Sequence, residues 1–227
     1  MRSKVACDRA NLRAALVRVD LHVHSSASFD CRSDPERVAA RCRRLGLAPV
    51  FLTDHDTIDG AIRLQELGIG QVVVGEEVMT TEGELIGLFL ARPVRSSLAP
   101  MEAASEIKSQ GGLVYLEHPC DGTRRHLSEA GIASVADLID IVEVFNGRSD
   151  ETANRRAEDL RGTLGAAPGA GSDAHSLGEI GSVYVEMDEF DGADDFLVKL
   201  RRSKIVKHRH KLLLAAEALS RHAMGRR

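Results

Sequence analysis

Val17-Arg-Val-Asp-Leu-His-Val-His24 decides how the rest of this chain is read. Its apolar residues make it a strand, and its histidines arrive at the strand's C-terminal end. Side chains two apart on a strand share a face, so His22 and His24 can grip a single ion. An HxH pair alone is ambiguous between a structural and a metal-binding role.

The same arrangement recurs along the chain. Val50 to Thr53 runs into Asp54-His55-Asp56, and Val72 to Val74 into Gly75-Glu76-Glu77. Leu113 to Leu116 runs into Glu117-His118-Pro119, and the small-residue run Ala166 to Ala170 into Asp173-Ala174-His175. His22, His24, His55, His118 and His175 thus all fall at strand ends, whereas His126, His208, His210 and His222 read as surface residues. Histidine and carboxylate together suit Zn, Mn and Fe. Such ions side by side can hydrolyse phosphate esters. Asp30, in the loop after His24, can fold back over such a site. Asp54 can ligate or orient a neighbouring histidine. Of Glu76 and Glu77, one can bridge two ions while the other faces away. Pro119 is expected to hold His118 in extended backbone.

Helical stretches lie between these strands. Ser33-Asp-Pro-Glu36 reads as a capping box opening a helix that Gly46 closes. Further helices are expected near Asp59 to Leu67, Pro100 to Gln110, Ser134 to Leu138, Ser149 to Leu160 and Ala193 to Arg202. Glu84 to Leu90 extends the third strand or pairs beside it, and Ile139 to Phe145 and Val183 to Val185 are also strands. Alternating β and α implies a largely parallel sheet. Such sheets carry their active sites at the strand C-termini. Six strands bringing polar residues to one end favour a closed or nearly closed barrel over an open sheet. With no repeat and no linker in view, the chain reads as one domain over 1–227. Its core spans about 17–206, followed by a basic helix over about 207–227 carrying Lys207, His208, Arg209, His210 and Lys211.

Composition narrows the function classes. A net charge of −4 offers no electrostatic attraction to duplex DNA or anionic membranes. No apolar run approaches a membrane span, and no secretory leader is evident. Trp is absent and aromatics are 4% of residues, so Val, Leu, Ile and Ala must build the core. Cys7, Cys31, Cys42 and Cys120 lack metal or disulfide spacing and read as reduced thiols of a cytoplasmic protein.

The stretches DLHVHSSASFD, FLTDHDTIDG, VVVGEEV, EHP and GSDAHS, in this order, resemble the PHP (polymerase and histidinol phosphatase) family of metal-dependent hydrolases. IDIVEVFNGR and IGSVYVEMDEF extend the resemblance. It implies an α/β fold, a distorted (β/α)7 barrel with the metal site at the strand C-terminal ends, and two or three Mn, Zn or Fe ions. Carried over by position, His22, His24, Glu77 and Asp173 hold one ion. Glu77 bridges to a second, which His118 also holds, and Asp30, His55 and His175 hold a third. Glu77 is preferred to Glu76 by its place after the strand-ending glycine. The chain departs from the family at Gly83-Glu84-Leu85-Ile86-Gly87-Leu88, where many relatives carry a further histidine ligand. Glu84 substitutes for it or has no role.

The activity implied is hydrolysis of a phosphate monoester by a metal-bound hydroxide. The substrate is a nucleotide, an oligonucleotide 5′ end or another small phosphorylated metabolite. Single-stranded oligonucleotide is a candidate partner, duplex nucleic acid and membrane are not, and the oligomeric state is open. Asp173 and His175 are the candidate proton carriers. Arg148, Arg124, Arg125 and Asn146 are the candidate substrate-binding residues, with Arg148 also placed at the reacting centre. The competing readings are a hydrolase of another bond on the same metal centre and a non-catalytic metal-binding module.

Overall fold

The computed structural model describes residues 15–208. Nine strands and six α-helices follow one another as β1 (Leu16–Val19), α1 (Pro35–Leu45), β2 (Val50–His55), α2 (Asp59–Glu66), β3 (Val72–Thr80), β4 (Gly83–Leu88), α3 (Pro100–Ser109), β5 (Leu113–Leu116), α4 (Glu129–Val135), β6 (Ile139–Asn146), α5 (Glu151–Leu164), β7 (Ala167–Gly171), β8 (Val183–Asp188), α6 (Gly192–Leu200) and β9 (Lys204–Lys207). Strands β2 to β7 form one curled six-stranded sheet in sequence order, and β1, β8 and β9 form a small antiparallel sheet.

The large sheet is mixed. Pairs β2–β3, β5–β6 and β6–β7 are parallel, while β4 runs antiparallel to both β3 and β5. The expected run of seven β/α units is therefore interrupted. Thr81 and Glu82 turn β3 straight back into β4, with no helix between them. The sheet's two edges are joined by backbone outside any assigned strand. Leu21 donates to the Ala170 carbonyl and His24 to that of Ala174, while Thr53 of β2 donates to the carbonyl of Val23. The segment 21–24 thus lies between β7 and β2 as an irregular stave.

Strand alternation sorts the side chains into two cores. Leu52, Val74, Leu85, Val114, Leu116 and Val142 face the helices and pack on Val38, Leu64, Ala103, Ile107 and Val135. Phe51, Val73, Ile86, Leu88, Leu113, Tyr115 and Ile141 face inward. The same inward rows end, at the C-termini of the parallel strands, in polar residues: His55 on β2, Glu77 on β3, Glu143 on β6. The opposite end is plugged by Phe51, Phe89, Phe190 and Phe196, whose ring centroids are 4.8–6.4 Å apart. Four of the chain's six phenylalanines thus gather where the barrel needs bulk, each aromatic contact contributing about 1 kcal/mol beyond its buried area.

Several local expectations change. Helix α1 starts from Asp34 without a side-chain cap, so the capping box does not form; Pro35, at the first turn, presets the helical φ instead. The helix expected from Ser134 begins earlier, at Glu129, because Ser128 caps it by accepting from the Gly131 N–H. Val206 and Lys207 belong to strand β9, which pairs with β8, and not to a helix. The remainder of the expected basic C-terminal helix lies outside the described residues. Among the described residues no helix is long and apolar enough to cross a membrane.

Candidate metal centre

Glu77 is the hub of the site. Its carboxylate lies 3.2 Å from Nε2 of His22, 3.2 Å from Nε2 of His24, 3.5 Å from Nδ1 of His55 and 3.3 Å from Nε2 of His118. Glu76, its neighbour on the strand, points the other way and accepts the N–H of Val94 at 2.8 Å. Asp173 closes the group, with Oδ1 3.8 Å from His22 Nε2 and 3.6 Å from His24 Nε2. Five different segments supply these atoms, and all five side chains other than His55 are buried.

The hydrogen-bond network sets the tautomers of the first two rings. Glu143 takes the Nδ1–H of His22 at 3.1 Å. Ser28 takes that of His24 at 3.2 Å, its own hydroxyl being donated to Asp54. Nε2 of both rings is then a bare acceptor, and the two stand 3.1 Å apart beside Oε2 of Glu77. Two lone pairs and a carboxylate oxygen converging in a dry site repel one another unless a cation lies among them. His22, His24 and Glu77 are close enough together to hold one ion, as are His24, His55 and His175, and His22, His118 and Asp173.

The surrounding carboxylates favour positive charge at the same point, whether carried by an ion or by protons on the rings. Burial lowers the His22 pKa, yet Asp173, Glu143 and Glu77 outweigh it and hold the ring well above its ordinary value. Burial raises Glu77, but a proton on His22, and ring N–H groups of His118, His22 and His24 where protons take the place of an ion, bring it well below the carboxylate range. Asp173 is likewise lowered, against burial, by His22 and Arg124. Burial pushes Glu84 up to about 7, with Glu77 adding to it, and takes Glu117 well above its usual value.

The outer residues arrive from loops. Asp30 does fold back, its Oδ2 lying 3.0 Å from Nε2 of His175 and 3.5 Å from Nε2 of His55. Asp54 belongs to none of the groups close enough to hold an ion among the described residues; it accepts from the backbone and hydroxyl of Ser25 and from Ser28, fixing the loop beneath His24. Asp20 works similarly, accepting from the N–H and hydroxyl of Ser172 and from Gly181, and so ties the His22 stave to the turn bearing Asp173. Asp173 and His118 both take positive φ, 53° and 26°. His118 is thus not extended, because its N–H turns to donate to Glu143 at 2.8 Å. Such backbone is held only where surrounding contacts over-determine it.

A cavity of about 350 Å³ opens onto the cluster; its lining includes Asp30, His55, Glu77, Glu84, His118 and Asp173 together with Phe29 and the arginines Arg124, Arg125 and Arg148. Arg124 donates to Oδ2 of Asp173. Arg148 lies 2.7 Å from Nδ1 of His175 and 3.7 Å from Asp173. Arg125 is exposed at the rim, near the sulfur of Met79. Asn146 departs from expectation: it is buried away from the cavity, donating to Glu143 and Asp173 and accepting from the N–H groups of Arg148 and Ser149. Its amide braces the site and has no free group for a substrate.

Glu143 and Tyr115 carry no role in the sequence pattern, and Glu117 figures there only beside His118. The signal for Glu143 was present, an acid enclosed by Val142 and Val144 inside an apolar strand. Its partners were not in view, since His22 is 121 positions away.

Comparison with known proteins agrees with the sequence resemblance. The PHP-associated family model matches residues 151–205. An uncharacterized protein of Methanocaldococcus jannaschii is 31% identical over 212 residues, covering 87% of this chain and 85% of its own. The error-prone DNA polymerase of Cutibacterium acnes is 27% identical over 90% of this chain, which spans 17% of that polymerase. Among solved structures, the lesion-specific endonuclease Q of Pyrococcus furiosus has a TM-score of 0.62 at 15% identity, covering 84% of this chain and 58% of its own. A Bifidobacterium adolescentis protein inferred to be a metal-dependent phosphoesterase has a TM-score of 0.56 at 17% identity, over 70% of this chain and 87% of its own. At these identities the likeness to the solved structures is one of fold.

Proposed function

The chain belongs to the PHP family, and from that premise we propose that it is a metal-dependent phosphoesterase whose centre is built on Glu77. The observation that carries the reading is the convergence of His22, His24, His55 and His118 on one buried carboxylate. His22, His24, Glu77 and Asp173 would hold one ion. Glu77 and His118 would hold a second, and Asp30, His55 and His175 a third. Divalent ions held there offset phosphate charge and make water a nucleophile near neutral pH.

The remaining steps fall to the chain's own groups. Arg124, Arg125 and Arg148 line the cavity and would grip phosphate oxygens, two N–H bonds at a time. Arg124 and Arg148 rest against Asp173 and His175, so both leave an anionic partner to reach a substrate. Oδ1 of Asp173 lies 3.4 Å from Nδ1 of His175, a distance at which a small shift lets a proton pass between them. Phe29 is 84% exposed at the cavity mouth, its ring 5.1 Å from that of His55. An aromatic face beside three arginines suits a phosphate that carries a nucleobase. A nucleotide or the 5′ end of an oligonucleotide is therefore the preferred substrate class.

The test is phosphate release by the Mn²⁺-loaded protein across mononucleotides, 5′-phosphorylated oligonucleotides and sugar phosphates, with strand cleavage of a duplex bearing an abasic lesion and an amide panel in parallel. Release from one phosphate class that disappears in His22→Ala supports the reading. Turnover confined to amides overturns it.

A further inference from the structure

One side of the cluster is built of carboxylates. Glu77, Glu117 and His118 place one ligand atom each within 4.8 Å of one another, and so do His55, Glu77 and Glu84. Glu84 is the second residue of β4 and is 6% exposed, with Oε1 3.7 Å from Nδ1 of His55. The strand is seated there by Gly83, whose φ is 127° and where a Cβ would lie 2.2 Å from the carbonyl oxygen of His126.

Glu117 is stranger. It is fully buried at the end of β5, and neither of its oxygens has a hydrogen-bond partner. Among the described residues it is the one carboxylate with both oxygens fully buried and unpaired, and Nδ1 of His118 beside it is unpaired as well. A buried polar group without a partner is a cost that folds rarely carry. Arg125 is exposed and turned to Met79, and no side chain donates a hydrogen bond to either Glu117 oxygen.

We propose that Glu84 and Glu117, together with Glu77 and one nitrogen of His118, form a carboxylate-dominated cation position that takes Mn²⁺ in preference to Zn²⁺. It lies beside the imidazole-dominated position of His22 and His24, making the centre chemically two-sided. The inference rests on the reading of this cluster as a metal centre. Its chemistry is that of ligand hardness: carboxylate oxygens suit Mn²⁺, whereas imidazole suits Zn²⁺. In raw affinity Zn²⁺ exceeds Mn²⁺ at a given site, so discrimination must come from the donor set.

The experiment is equilibrium dialysis of the metal-stripped full chain against equal Mn²⁺ and Zn²⁺, with each metal then counted and bound Mn²⁺ read by EPR. Wild type should retain both metals together. Glu84→Gln/Glu117→Gln should lose Mn²⁺ affinity by about tenfold or more while keeping Zn²⁺. Glu84→His, which preserves a ligand, should replace Mn²⁺ with Zn²⁺ and keep the EPR signal low. Circular dichroism verifies that each variant is folded. Mn²⁺ retention unchanged in the double variant, or wild type carrying Zn²⁺ alone, overturns the proposal. Metal counts do not depend on turnover, so selective Mn²⁺ binding without phosphate release would sink the phosphoesterase reading and leave this one standing.

Discussion

Oε1 of Glu143 lies 3.1 Å from Nδ1 of His22, and that contact aims the ring at Glu77. The same oxygen accepts the Tyr115 hydroxyl at 2.9 Å, while Oε2 accepts the His118 N–H and the Asn146 amide. Four donors meet one buried carboxylate. Glu143→Gln keeps the shape but turns an NH₂ group onto two of those donors. Metal affinity should fall about 10- to 100-fold, measured by competition with a chelating dye. Wild-type affinity would mean that His22 needs no brace.

Gly171 lets the end of β7 touch the His22 stave. A Cβ there would sit 2.4 Å from the Cβ of His22 and 2.7 Å from its nitrogen. Gly171→Ala is expected to cost about 1–3 kcal/mol in overpacking. Ion binding should weaken with it, because the displaced atoms carry a ligand. Urea unfolding and metal titration on the same preparation check both; an unchanged midpoint would refute the contact's importance.

Glu76 gives the pH dependence. Burial pushes its carboxyl up to about 7, with Asp56, Asp59 and Glu106 adding to the shift and the Val94 N–H opposing it. The folded state therefore holds this proton more tightly than the unfolded state. The resulting stability is full below the ordinary value of 4.5 and is lost as pH rises through about 7. Glu76→Gln keeps an acceptor for Val94 and cannot ionise. In the metal-free chain it should be more stable than wild type by about 1–3 kcal/mol at pH 8 and nearly equal at pH 4.5. Denaturant curves at the two pH values decide; equal stability at pH 8 would be the wrong result.

Phe29 separates nucleotides from other phosphates. Loss of a stacking face costs about 1–3 kcal/mol per base. Phe29→Ala should therefore raise KM for mononucleotides about tenfold and leave KM for sugar phosphates unchanged. A uniform rise for both would show that the ring shapes the pocket without reading a base.

The sequence was most legible where strand periodicity and chemistry coincide. His22 and His24, two apart, do present nitrogens to one point, and the strand placing Glu77 inward necessarily turns Glu76 outward. Asp30, six residues past His24 in the following loop, does reach His175 and His55, as its place in the family resemblance implied. The rest depended on contacts no local pattern encodes. The curled sheet's two edges are joined by Leu21 to His24, which make bonds to β7 and β2 without strand geometry. Strand β9 exists because β8 offers an edge. Asn146 looked like a substrate ligand after its strand, yet tertiary hydrogen bonds consume its whole amide. Glu117 was read only as a neighbour of His118, and its unpaired oxygens became visible with the fold.

The most direct test is a side-by-side assay of wild type and Glu77→Gln, each stripped, reloaded with Mn²⁺, counted for bound metal and assayed for phosphate release from a mononucleotide. Wild type should bind Mn²⁺ and release phosphate, lose that release on chelation and regain it on reloading. Glu77→Gln should lose both bound metal and release, because its carboxylate touches four of the five clustered histidines. Phosphate release that survives in Glu77→Gln, or that persists in the stripped wild type, would contradict a metal-dependent phosphoesterase centred on Glu77.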